Sequence, residues 1–212
     1  GKPLIPVPPL PHRIGNHPDQ RLLDLQIECY DRLFWHAPDV YPIMITCGDV
    51  LLGYRGPLPV IPGADVCIFG LQSTPEEAMH HGVMFCKKDQ PASLEFFLQK
   101  PDPDEVRRLA PTHDYFLDTG AWVLSRRALY SMMRKSGWND STDTFGDTGP
   151  LVADLYGGIG PALGRDPHQQ DPELSGLRCT VIPLPEGRFY HFGSNHAVIP
   201  PDNCCFWVTW AD

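Results

Sequence analysis

The stretch Pro42-Ile43-Met44-Ile45-Thr46-Cys47-Gly48-Asp49-Val50-Leu51-Leu52 decides how this chain is read. A short apolar run with β-branched residues stops at Gly48-Asp49, which predicts a buried strand with an aspartate at its end. In an open α/β sheet, ligands lie beyond the carboxyl ends of the strands. A carboxylate held there suits a hard cation such as Mg²⁺, which takes one or two protein carboxylates and completes its shell with phosphate and water. Asp49 is thus a candidate metal ligand in a phosphoryl- or nucleotidyl-transfer site. Taken alone, a turn aspartate after a strand is the plainer reading.

Working outward, residues 1–18 carry Pro3, Pro6, Pro8, Pro9 and Pro11 and predict an extended path. A helix opens at Pro18-Asp19-Gln20 and ends near Pro38, with Leu23, Ile27, Tyr30 and Phe34 forming its apolar face. Residues 50–63 read as loop, with a short strand over 50–54. Residues 64–71 read as a strand. Thr74-Pro75-Glu76-Glu77 carries a cap, a proline at the first helical position and acidic first-turn residues. Residues 82–86 and 94–99 predict a hairpin around the polar loop 87–93. Asp102-Pro103-Asp104-Glu105 starts a helix to about Ala110. Tyr115 to Gly120 leads into the run Ala121–Leu124, and Ser125 caps a helix to about Ser136. Residues 137–148 are a polar loop, and 151–156 a short helix. Residues 177–184 and 187–192 read as a final strand pair joined near Pro185-Glu186. Strands alternate with helices and hairpins intervene, which predicts an α/β fold with a mixed sheet.

Composition bounds the function. The 212 residues suffice for one domain with a full core. No run approaches the roughly 20 apolar residues of a membrane span. Net charge is −9, which disfavours nucleic-acid binding. The seven cysteines form no C-x-x-C pair, and Cys47, Cys67 and Cys179 lie in apolar runs, so the expected compartment is a reducing cytoplasm. No H-E-x-x-H motif or Cys/His pair has structural-zinc spacing, which argues against zinc.

Three more strand ends carry chemistry. Lys100 follows a strand and precedes Pro101; it is a compact cation suited to a phosphate, or a solvated surface lysine. Asp118-Thr119-Gly120 joins carboxylate, hydroxyl and glycine, as a sugar-hydroxyl site or a β-bulge with a turn glycine. Phe189-Tyr190-His191-Phe192-Gly193-Ser194 puts an imidazole at the last strand end, as a ligand group or a surface histidine.

The ordered motifs resemble the sugar-1-phosphate nucleotidyltransferases: Gly1-Lys2, Thr46-Cys47-Gly48-Asp49-Val50-Leu51-Leu52, Ala64-Asp65-Val66, His80-His81-Gly82-Val83, Leu94 to Pro101 with Leu98-Gln99-Lys100-Pro101, Asp118-Thr119-Gly120, and Pro183 to Ser194. Within them the chain resembles the L-fucose-1-phosphate guanylyltransferase family, also found as the N-terminal part of bifunctional fucokinase/GDP-fucose pyrophosphorylases. The resemblance covers residues 1–199 as one partial domain and leaves 200–212 an unassigned tail.

The resemblance implies a three-layer, Rossmann-like (GT-A-like) α/β fold and the reaction of GTP with L-fucose 1-phosphate to give GDP-L-fucose and pyrophosphate. It implies that Asp49 holds Mg²⁺ and that Lys100 grips the sugar phosphate. It also implies that Gly48, Asp118, Thr119 and Gly120 line the substrate site with His81, Gly82, His191, Gly193 and Ser194. Lys2 corresponds to the lysine of the family's Gly-rich phosphate loop; the first strand and that loop are expected to be missing before it. His191 stands where many relatives carry a second metal-binding aspartate, so a contact to phosphate or a sugar hydroxyl is expected there instead. Full-length relatives imply a fused β-helical or kinase domain. A nucleotidyltransferase for another sugar 1-phosphate, or a catalytically weak sugar-nucleotide-binding fragment, is the alternative reading.

Overall fold

The computed structural model describes residues 21, 23–27, 30, 43–54, 56–57, 59–147 and 149–191. Lys2, Gly193 and Ser194, the proline-rich start, most of the predicted first helix with Phe34, and residues 200–212 lie outside them.

The strands are β1 (Ile43–Thr46), β2 (Val50–Gly53), β3 (Val66–Leu71), β4 (Gly82–Lys87), β5 (Phe96–Gln99), β6 (His113–Leu124), β7 (Cys179–Pro183) and β8 (Arg188–His191). The helices are α1 (Pro75–Ala78), α2 (Pro103–Leu109) and α3 (Arg126–Lys135). Five strands run in the order β5-β4-β6-β3-β7, and β1 also pairs with β6. β3 and β7 are parallel, whereas the pairs β1–β6, β3–β6, β4–β5 and β4–β6 are antiparallel. The central sheet is therefore mixed, as the sequence predicts. β2 and β8 form a separate antiparallel ribbon.

Period-2 alternation along the buried strands sends their side chains to two opposite layers. Val66, Ile68, Met84, Trp122 and Leu124 pack on one face with Ala128 and Met132 of α3 and with Ile159 and Ala162. Cys67, Phe69, Ala121 and Val123 pack on the other face with Leu52 and Tyr54 at the β2 ribbon and with Tyr30. Val83, Phe85 and Phe96 meet Ala78 of α1 and Val106 of α2. Sheet and flanking elements thus form three layers. The predicted caps close these helices: Thr74 and Glu77 form a capping box, while Asp102 and Ser125 accept from Asp104 and Ala128 N–H groups.

β6 organises what lies around the site. β3 runs along one edge of it, and the register shifts so that Thr119, Gly120 and Ala121 stand opposite the single residue Phe69. On the other edge, β4 pairs with residues 113–117 and β1 with residues 121–124. Since both are antiparallel to β6, the C-terminal end of β1 points at the N-terminal end of β4. The gap between them lies over the bulge. The sequence offered Asp118-Thr119-Gly120 either as a bulge or as a site; the bulge is present and marks the gap.

Three expectations are corrected. β7 and β8 do not pair with each other. The edge of β7 is taken by β3, and the turn through Glu186 (φ +58°) redirects the chain to β2. The helix predicted over 151–156 lies further along, as a π-helix at Leu155–Ile159 capped by Asp154 and continued by a 3₁₀ turn at Gly160–Ala162. Asp154 accepts from the Tyr156 and Gly157 N–H groups, which fixes that start. In the first helix Leu23 and Ile27 are 39% and 57% exposed, and Leu25, Gln26 and Tyr30 face inward. Gln26 turns the helix this way, because its amide satisfies backbone carbonyls of the β1–β2 turn.

Candidate active site

Gly48 and Asp49 form the turn between β1 and β2, so Asp49 leaves the central sheet where the β2–β8 ribbon begins. Val50 pairs with His191 in that ribbon, which sets the imidazole beside the carboxylate. His191 Nε2 lies 3.6 Å from Asp49 Oδ2. The His81 ring stands at 5.5 Å from the His191 ring and at 5.2 Å, edge-on, from Phe189. Lys100 follows β5 with φ +51°, and its N–H donates to the His81 carbonyl (2.9 Å). The hairpin of β4 and β5 therefore delivers His81 and Lys100 together, and the ribbon delivers Asp49 and His191.

The electrostatics follow from this crowding. Burial, with His191, His80 and Lys100 close by, pushes the His81 imidazole down to about 4, against a weaker opposite pull from Glu77. His81 is therefore neutral at physiological pH and can donate from one ring nitrogen and accept at the other. Lys100 is exposed and keeps its three donors accessible.

The second half of the site lies in the gap over the bulge. Cys47 N–H donates to the Gly120 carbonyl (3.0 Å), carrying the β1 direction one residue further. The Cys47 thiol and the Tyr156 hydroxyl are hydrogen-bonded at 2.7 Å. Gly120 has φ +70°, and a Cβ there would meet Cys47 Sγ at 2.6 Å and Tyr156 Oη at 3.2 Å. Only glycine suits that backbone and that space. Burial raises both the Cys47 thiol and the Tyr156 phenol; for Cys47 the Tyr156 hydrogen bond pulls the other way, while the Asp118 and Asp49 carboxylates raise it further.

Asp118 and Thr119 are placed differently from the expectation that they offer acceptors to a sugar. Asp118 is 4% exposed. Its Oδ1 accepts from Gly120 N–H (2.8 Å) and Trp122 Nε1 (3.0 Å), and its Oδ2 from Trp122 Nε1 (3.1 Å). Burial among these neutral donors pushes its carboxyl up to about 7, although both hydrogen bonds favour the ionised form. Thr119 is fully buried and donates to the Phe69 carbonyl (2.8 Å). Both side chains build the bulge, because an irregular backbone in a core must find its polar partners locally. Gly82 is likewise buried, and a Cβ there would strike the Phe97 ring at 2.3 Å. It permits packing rather than presenting a surface. Gly48 is exposed in the Asp49 turn.

Asp49 is brought together with His191, His81 and Lys100. Among the described residues no cluster of three His, Cys, Asp or Glu side chains could hold a metal by itself. Mg²⁺ does not need one, since one carboxylate with phosphate and water suffices. The half-buried oxygen donor of Asp49 fits that ion, and the neighbouring imidazole is a weaker partner for it. Sequence reading missed Tyr156, Gln26, Phe189 and Trp122. Tyr156 enters from more than 100 positions away, a separation of 109 residues from Cys47. The spacing around Gln26 pointed to Leu23 and Ile27 instead.

The arrangement is that of an α/β protein whose polar side chains gather at strand ends beside a break in a mixed sheet. No family model matches the sequence. The chain is 39% identical over 199 residues, 94% of its length, to an L-fucokinase/L-fucose-1-P guanylyltransferase of Bacteroides fragilis. The chain spans 20% of the length of that protein. Solved structures that it resembles include a mannose-1-phosphate geranyltransferase from Thermus thermophilus, at 13% identity and a TM-score of 0.42 over 69% of this chain and 45% of that one. Another is the inositol-1-phosphate CTP transferase of T. maritima, at 12% identity and a TM-score of 0.41 over 84% of this chain and 60% of that one. No helix among the described residues is long and apolar enough to cross a membrane.

Proposed function

We propose that this chain is the guanylyltransferase portion of such a protein, joining GTP to L-fucose 1-phosphate to give GDP-L-fucose and pyrophosphate in the cytoplasm. The observation that carries this reading is the 39% identity across 94% of the chain to the L-fucokinase/L-fucose-1-P guanylyltransferase. The meeting of Asp49, His81, Lys100 and His191 supports it, because a cation, imidazole hydrogen-bonding groups and a carboxylate are what a phosphate-rich substrate pair needs.

In the reaction a phosphate oxygen of the sugar 1-phosphate attacks the α-phosphorus of GTP and pyrophosphate leaves. Such chemistry depends on positioning and charge neutralisation rather than on a protein nucleophile. Lys100 binds the sugar phosphate, and its neighbour His81, being neutral, orients phosphate or sugar oxygens without adding charge. Asp49 would hold Mg²⁺, which when bound draws charge from the phosphates. Lys2, Gly193 and Ser194 are assigned to phosphate and sugar binding from the family motifs.

Pyrophosphate release tests the proposal, measured with Mg²⁺ across a panel of GTP, ATP, UTP and CTP against L-fucose 1-phosphate and other hexose 1-phosphates. Preference for the GTP and L-fucose 1-phosphate pair is expected. Preference for another pair would assign the chain to a different sugar nucleotide. Binding of GDP-L-fucose with no turnover on any pair would leave a sugar-nucleotide-binding module.

A further inference from the structure

The turn that carries Asp49 is held from several remote parts of the chain. Gln26 Nε2 donates to the carbonyls of Val50 and of Cys47, the latter at 3.3 Å. The Tyr30 hydroxyl reaches the Val50 carbonyl at 3.4 Å. On the opposite side the Tyr156 hydroxyl is bonded to the Cys47 thiol, 2.7 Å away and two positions before Asp49. Cys47 in turn is bound through its N–H to Gly120 in the bulge.

Tyr156 is presented by an unusual element. It is the second residue of the Leu155–Ile159 π-helix, whose start is fixed by Asp154. π-Helical turns are rare and appear frequently at functional sites. Ile159 and Ala162 beside it are rooted in the core with Trp122 and Met84. The phenol is thus a rigid strut from the core to the strand break. The space is closed on the far side, since Gly120 leaves no room for even one more carbon between Cys47 and Tyr156.

We infer that Tyr156 is a positioning residue: through its hydrogen bond to Cys47 it holds the Gly48–Asp49 turn against the Asp118–Gly120 bulge. Its contribution to turnover rests on the function proposed above, but the clamp itself does not. A turn freed on this side is still tethered by Gln26 and Tyr30, so the fold persists while the carboxylate loses its fixed placement. Small misplacements of a charged group cost rate rather than ground-state binding.

The test uses the whole chain and the variants Tyr156→Phe, Cys47→Ala, Cys47→Ser and the double Tyr156→Phe/Cys47→Ala. Hydrogen exchange read by mass spectrometry reports the clamp without turnover. In Tyr156→Phe, exchange across residues 47–51 is expected to rise about fivefold, the loss of one hydrogen bond, while β3 and the second half of β6 stay protected. Cys47→Ala is expected to match it, the double variant to be no worse than either single, and Cys47→Ser to restore protection because its hydroxyl can bond Tyr156. In the pyrophosphate assay kcat is expected to fall about tenfold in Tyr156→Phe with KM for the sugar phosphate changed less than twofold. Unchanged exchange at 47–51, fully additive single effects, or a change confined to KM would each overturn the positioning role. A chain with no turnover but the expected exchange pattern would count against the proposed function and leave the clamp intact.

Discussion

Asp65 and Asp118 are both buried carboxylates beside the central strands, 6% and 4% exposed, yet their surroundings differ in kind. Asp65, just before β3, meets the Arg127 guanidinium at 3.0 Å, the Arg178 N–H at 2.9 Å and the Ser125 hydroxyl at 3.3 Å. It ties the starts of β3, α3 and β7 together. Asp118, in the middle of β6, has an indole and a backbone N–H as its bonded partners, and burial pushes it up to about 7. One carboxylate is spent on joining elements with charge compensation supplied. The other is kept among neutral donors in the bulge where the sheet is broken. A buried ion that joins elements brings its counter-ion, whereas a buried carboxyl among neutral donors carries an electrostatic cost that the surrounding fold must offset.

The comparison can be broken by experiment, and the largest effect belongs to Asp49, on the site side. On the proposed function, Asp49→Asn is expected to lower kcat about a hundredfold or more, because an amide would not supply the charge proposed to hold Mg²⁺. Its thermal unfolding midpoint is expected to stay close to that of the parent chain. Near-parental turnover in steady-state pyrophosphate release would count against the proposed Mg²⁺ role of Asp49.

On the architectural side, Asp65→Ala leaves the Arg178 N–H without its partner and Arg127 without its ion pair. A loss of about 2 kcal/mol in urea-unfolding free energy is expected. Turnover per folded molecule is expected to be retained. A collapse of kcat at full stability would make Asp65 part of the site.

The smallest effect sharpens Asp118. Its raised carboxyl means the folded state binds more protons than the unfolded chain between the ordinary carboxylate range and about 7. Its share of stability is therefore full at low pH and is lost as pH rises through about 7. His81, pushed down to about 4, acts in the opposite sense, gaining stability as pH rises from about 4 towards its ordinary value. Taking the difference between Asp118→Asn and the parent cancels the histidine. The unfolding midpoint of the variant relative to the parent is expected to climb by a few degrees from pH 4.5 to 7.5 and then level off. A flat difference across that range would show that Asp118 is not held up by burial.

Much of the framework was legible because local chemistry decides it. The caps at Thr74, Asp102 and Ser125, and the hairpin of β4 and β5, rest on interactions within a few residues. The Asp49 strand end and the order of Lys100, Asp118 and His191 were equally visible, since apolar runs stop where function or turns begin. What failed did so where distant groups compete. Leu177–Leu184 and Gly187–Phe192 look like a hairpin, but each strand found a better edge elsewhere, on β3 and β2. Leu23 and Ile27 have the right spacing for a buried face, but the helix is rotated to bring Gln26 to unsatisfied carbonyls.

The sequence by itself determined a mixed α/β fold, the placing of Asp49, Lys100 and His191 at strand ends and the likeness to an L-fucokinase/L-fucose-1-P guanylyltransferase, because period, caps and short motifs are properties of neighbours along the chain. The tertiary structure alone decided that β1 and β4 share one edge of β6 with a gap between them. It also decided that Asp118 and Thr119 turn inward, and that Tyr156 closes on Cys47. These depend on which strands win which edges and on how buried polar groups find partners across long separations, and no local pattern records that competition.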